Sequence, residues 1–221
     1  MNYFAHGRQF VNRPFFMAGT SVPDWLSVLD RRIKARPAGA RPFLDDENPD
    51  LSAIAAGILR HHHDDGWFHL SEPFIKLSIA CTGDWRTVLG TESGLRCRFL
   101  GHVLVELLLD AELIRRDPTV LDQYYQVMES LDRDRVEKAV SAMTSQPATG
   151  LGRLLDGFCR ERFLYDYLED AKLLRRLNQV MKRVGLEQIP AEAASLIGQL
   201  RPRVADQADL LLAEPVQQTN K

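Results

Sequence analysis

The sequence predicts an all-α protein, and three observations carry that reading. Apolar residues recur at three- and four-residue spacing along most of its 221 residues, the spacing that gathers them on one face of a helix. The stretch 95–114 is apolar on most sides, with Phe99, Leu100, Val103, Leu104, Leu107, Leu108 and Ala111, as suits a helix surrounded by others. Clusters of glycine and proline separate these stretches at the intervals expected of helix connections.

Taken in order, residues 2–16 are rich in aromatic side chains, and Tyr3, Phe4, Phe10, Phe15 and Phe16 are candidates for a core around His6. Gly19 to Pro23 reads as a turn, after which Asp24 caps or opens a helix through Trp25, Leu26, Val28 and Leu29. Residues 36–50, with four prolines and glycines and an acidic run, read as a long connection. Asn48-Pro49 then supplies a capping side chain followed by proline in the first turn, and a helix runs to about Asp64 with Gly66 as its breaker. Pro73 opens a short helix that stops near Gly83. Beyond the central helix, helical patterns cover about 118–131, 133–144, 152–184 and 190–213, with Pro202 interrupting the last. Charged residues such as Glu161, Arg162, Asp166, Glu169 and Asp170 are expected on solvated faces. Residues 1–115 form the expected core and 116–221 a helical remainder packing on it in the same domain.

Composition excludes several classes. A formal net charge of -2 gives no field that would gather nucleic acid or an anionic membrane. Cys81, Cys97 and Cys159 are widely spaced and odd in number, which suggests buried thiols rather than disulfides or zinc-thiolate sites. No apolar run is long enough to span a bilayer. Arg8, Gln9, Asn12 and Arg13 interrupt the aromatic N-terminus before a signal-peptide core could form, so a cytoplasmic setting is expected. There is no phosphate-binding glycine loop, no GxSxG elbow and no Glu-x-x-His motif.

The candidate chemistry lies in His61-His62-His63-Asp64-Asp65-Gly66-Trp67-Phe68-His69, which holds four of the six histidines. Imidazole and carboxylate together suit a divalent metal, zinc first, with manganese or iron also compatible. Residues four apart share a helix face, so His61 pairs with Asp65 and His102 with Glu106. Glu106 and Asp110 stand in one row of an apolar helix, where an ionised carboxylate needs a cation or a strong donor. Arg98, one turn before His102, is a candidate for binding an anionic substrate.

The ordered series Ala5-His6, Gly19-x-x-x-Pro23-Asp24, His61-x-x-x-Asp65-x-x-x-His69 and His102-x-x-x-Glu106 resembles the ligand series of zinc-dependent phospholipase C. The opening Met1-Asn2-Tyr3-Phe4-Ala5-His6 and the Gly57-Ile58 pair also resemble the acyl carrier protein phosphodiesterases. The resemblance covers about residues 1–112. It implies a multi-helix orthogonal bundle around a metal-binding cavity, with His6, Asp24, His61, Asp65, His69, His102 and Glu106 as ligands and Asp65 as the bridging carboxylate.

The expected activity is hydrolysis of a small-molecule or carrier-linked phosphodiester or phosphomonoester by water activated on one or two divalent ions. Asp24 or Asp65 would act as base, and His62, His63 or Arg98 would bind a phosphate oxygen or protonate the leaving group. A rival assignment uses the His63-Asp64 dyad with His102 and Asp110, as in an HD-type nucleotide phosphohydrolase. A third reading is a helical scaffold protein without activity, for which the long second half would be the docking part.

Overall fold

The structure, a computed structural model, describes residues 1–215, and every regular element among them is helical. In chain order these are α1 (Tyr3–Gly7), α2 (Pro14–Leu29), α3 (Pro37–Ala40), α4 (Pro49–Phe68), α5 (Glu72–Leu89) and α6 (Gly94–Arg116). There follow α7 (Pro118–Ser130), α8 (Arg133–Met143), α9 (Leu151–Glu161), α10 (Asp170–Val184), α11 (Ala194–Ala205) and α12 (Ala208–Leu211). The all-α class is as the sequence predicts. No helix of the described residues is long and apolar enough to cross a membrane. The last six residues of the expected remainder, 216–221, lie outside the described residues.

The chain divides into two compact units whose segments alternate, so the division runs across both expected segments, 1–115 and 116–221. One unit holds Met1, residues 65–112 and the chain from Asp166 onward; the other holds Asn2–Asp64 and Leu113–Tyr165.

In the second of these units the centre is aromatic. Trp25, Tyr124, Tyr125 and Phe4 are fully buried, and Phe158 meets Tyr3, Trp25 and Tyr125 at centroid distances of 5.3, 5.8 and 5.6 Å. The buried tyrosine hydroxyls are satisfied: Tyr124 shares a 3.0 Å hydrogen bond with Ser21 Oγ, and Tyr125 Oη accepts one from the Leu164 amide. Asp117 and Asp132 cap α7 and α8 from the N-terminal side, and Glu137 Oε2 accepts from the Gly150 and Gly152 amides at the start of α9.

Gly19 and Gly57 let α2 and α4 cross backbone to backbone, since a Cβ on Gly19 would stand 2.9 Å from Gly57 Cα. That contact corrects the expected turn at Gly19–Pro23. Helix α2 runs through both residues to Leu29 with Pro23 inside it, and Asp24 sits in mid-helix rather than at a cap. Burial of Val22, Trp25 and Leu26 holds the helix together where propensity alone would end it.

In the other unit α5 begins at Ser71, whose Oγ accepts from the Phe74 amide, and it continues through Gly83 to Leu89. Trp85, fully buried two residues later, anchors the extension beyond the expected stop. Gly101 brings α6 against α5: a Cβ there would lie 2.7 Å from the Ser78 carbonyl oxygen. Helix α11 packs on α5 and α10, and Arg203 reaches Asp84 at 2.6 Å.

The expected helix 152–184 is two helices. It breaks at Arg162, whose backbone is left-handed at φ 44°, and resumes at Asp170. Phe163 turns inward there against Phe158 at 5.2 Å, and that burial outweighs continuation of the helix. Of the charged residues around this break, Glu161 and Glu169 are exposed as expected, whereas Arg162, Asp166 and Asp170 tie elements together. Arg162 binds Asp122 at 3.0 Å, Arg176 binds Asp166 at 2.7 Å and Arg201 binds Asp170.

Candidate metal centre

The histidines and carboxylates singled out in the sequence fall into two groups, one in each unit. In the unit containing residues 65–112, α4 ends at Phe68 with no break at Gly66, and the His69 amide still donates to the Asp65 carbonyl at 3.2 Å. The helical row therefore reaches His69, which the expected break at Gly66 would have prevented. Phe68, fully buried, fixes that last turn.

On α6, His102 and Glu106 stand one turn apart, as their spacing requires. Glu106 Oε1 is the focus of the group: His69 Nε2 donates to it at 2.7 Å, His102 Nε2 lies 3.2 Å away and the Met1 ammonium 3.7 Å away. The two imidazoles face each other at 4.8 Å, and the buried ring of Phe74 packs against both at 5.0 and 4.9 Å. Asp65 is held by the Met1 ammonium at 2.6 Å.

Burial alone would push the Glu106 carboxyl up. The Met1 ammonium and hydrogen bonds from His102 and His69 outweigh it and hold Glu106 well below the usual carboxylate range. Glu106 is thus an anion at neutral pH, with only 15% of its side chain exposed, whereas His69 and His102 are 30% and 45% exposed. One ligating atom from each of His69, His102 and Glu106 lies within 4.8 Å of the others.

That donor set fits a divalent ion. Bonds of about 2.1 Å at tetrahedral angles put ligand atoms roughly 3.4 Å apart, against 2.7 and 3.2 Å here from Glu106 Oε1 to the His69 and His102 nitrogens. Three protein ligands with partly exposed imidazoles would leave a position for water on a bound ion. Arg98, exposed and one turn before His102, makes no polar contact among the described residues.

The other unit holds the remaining candidates apart from Asp110. His6 and His61 are both buried and stack at 4.2 Å with a 28° interplanar angle. His61 Nδ1 donates to the Thr20 carbonyl at 2.8 Å, which fixes its tautomer. Asp64 is buried, 2.7 Å from Arg60 and 3.5 Å from His6 Nδ1. Burial raises its carboxyl, but hydrogen bonds from His6 and Arg60 prevail and its pKa is lowered.

His62 Nε2 donates to the Ala35 carbonyl at 2.7 Å, which ties it to the segment after α2. His63 is exposed while Asp64 is buried, so the two side chains of the rival dyad point to different surroundings. Asp24 is half-buried on α2, and Asp110 is fully buried on α6.

Phe74 and the Met1 amine are the members of the first group that sequence spacing does not indicate. Pro73 and the cap at Ser71 place Phe74 at the start of a helix, but nothing in the residue pattern turns its ring toward His69. No family model, curated protein or solved structure matches the chain.

Proposed function

We propose that this protein is a hydrolase of phosphoesters that uses one divalent metal ion, zinc first, bound by His69, His102 and Glu106. The observation that carries the proposal is the convergence of those three ligating atoms within 4.8 Å, two of them on half-exposed imidazoles. A bound ion would lower the pKa of a water toward neutrality and offset phosphate charge. Asp65, 29% exposed, one turn before His69 and paired with the Met1 ammonium, would take the proton from that water. Arg98 would hold a phosphate oxygen through its planar fork, with His102 between it and Glu106 along the helix. His69 would be kept in orientation by the Phe74 ring packed against it. The surrounding helices would form the orthogonal bundle and metal-binding cavity of phospholipase C-like or HD-like hydrolases.

Elemental analysis of protein purified without chelators and without a histidine tag tests this reading. One equivalent of zinc, manganese or iron is expected, retained in His61→Ala and lost in His69→Ala and His102→Ala. Hydrolysis of bis(p-nitrophenyl) phosphate should fall with the metal. The loss should be at least the ~10–100-fold that even outer-shell partners of a metal control. Stoichiometric metal in both alanine variants, or none in the parent after incubation with zinc and manganese, would sink the proposal.

A further inference from the structure

In the unit formed by Asn2–Asp64 and Leu113–Tyr165, the segment after α2 carries Arg31, Arg32, Lys34 and Arg36 within six residues, in a chain whose formal net charge is -2. Burial alternates along it. Ile33 and Ala35 are 6% and 4% exposed, whereas Arg32, Lys34 and Arg36 are open to solvent. Successive side chains of an extended chain point to opposite sides, so burying Ile33 and Ala35 turns Lys34 and Arg36 the same way, while Arg32 stands in the turn closed by the Ile33 amide on the Asp30 carbonyl. The segment is fixed in place: His62 holds the Ala35 carbonyl, and Gly39 packs so closely on the Met143 carbonyl that any side chain there would collide with it.

The three cations Arg32, Lys34 and Arg36 line a groove together with Ala38, Gly39, Met143 and Ser145. They are not equivalent. Arg32 is committed to Asp30 through contacts from 2.6 to 3.1 Å. Lys34, Arg36 and Ser145 have no polar side-chain partner among the described residues. Two uncompensated positive charges and a hydroxyl thus face one groove. Alternate residues of an extended chain lie about 6.8 Å apart, a span that one tetrahedral anion bridges.

We infer that this groove binds a phosphate dianion, free or as the head of a small monoester, with Arg36 as the fork, Lys34 as the point charge and Ser145 as a further donor. The charge of a phosphate monoester near neutrality, about -1.5 to -2, matches the two free cations. A carboxylate would leave one of them uncompensated. The inference stands independently of the proposed metal centre, whose residues it does not use.

Calorimetric titration with inorganic phosphate and with butyl phosphate, in EDTA so that no divalent ion takes part, tests it on the full chain. Saturable binding of phosphate that strengthens between pH 5.5 and 7.5 is expected, because the second ionisation falls near pH 6 for a monoester and about one unit higher for inorganic phosphate. Sulfate, a dianion throughout, should bind without that dependence. Lys34→Ala and Arg36→Ala should each weaken phosphate about threefold to fivefold, as exposed charge pairs typically do. Arg31→Ala, outside the groove, should leave it unchanged. Tighter butyl phosphate identifies a monoester as the ligand, and tighter inorganic phosphate identifies the free ion. Absence of saturable binding at millimolar phosphate, or equal weakening by all three variants, overturns the inference.

Discussion

Glu106 Oε1 receives nitrogen atoms from three parts of the chain, while Asp64 plays a comparable role for Arg60 and His6. Asp64 has 4% of its side chain exposed, whereas Arg60 is 37% exposed and can turn to water. Asp64→Asn should therefore cost only about 1–2 kcal/mol, less than breaking a fully buried pair. The urea midpoint checks this, and an unchanged midpoint would show that the pair contributes nothing. The thiols give a second residue-level expectation. Burial pushes Cys81 and Cys159 up to about 11 and raises Cys97 as well. At pH 8 the thiolate fraction of a thiol at 11 is on the order of one in a thousand, so alkylation should be slow until the protein unfolds, when all three react. Rapid labelling of the native protein would contradict the burial described. At this scale the sequence was informative where chemistry depends on spacing, as with His102 and Glu106. It was silent where chemistry depends on folding, as with the Ala35 carbonyl that takes up His62 and the Phe74 ring beside His69.

Helices meet where glycine allows it, and the glycines are not alike. A Cβ at Gly57 would stand 2.8 Å from Gly19 Cα, while one at Gly83 would meet nothing within 4 Å. Gly57→Ala should therefore destabilise by about 1–3 kcal/mol through overpacking, and Gly83→Ala should stabilise by roughly 0.5–1 kcal/mol through helix propensity. Thermal melts of the two variants should move in opposite directions; movement the same way would mean that the α2–α4 crossing is looser than described. The same contrast explains which helix boundaries could be read. Asn48-Pro49 marks the start of α4 because its capping is local: the Asp50 amide donates to Asn48 Oδ1 at 3.0 Å. Gly19, Pro23, Gly66 and Gly83 misled because remote burial, of Trp25, Phe68 and Trp85, decides whether the helix continues. Arg162 misled in the opposite sense, since no local breaker announces its left-handed backbone.

The all-α class was legible across the whole molecule because it follows from periodicity summed over many residues. The interleaving of the units was not, because it depends on which apolar faces meet. A chain ending at residue 165 keeps both segments of the unit built on Tyr124 and Tyr125 but removes α10, α11 and α12 from the other. Such a fragment should retain near-ultraviolet circular dichroism from the buried tyrosines and bind a dye for exposed apolar surface, since α5 loses α11. A fragment that excludes the dye would show that residues 65–112 need no later partner. The alternating segments also order events during synthesis, when the chain emerges from its N-terminal end. The tyrosine-centred unit has all its segments once residue 165 has left the ribosome, whereas residues 65–112 must wait for the stretch from Asp166 onward. Their apolar helices emerge before residues 113–165 but are completed after them, which makes that interval the one in which a nascent chain of this protein most needs a chaperone.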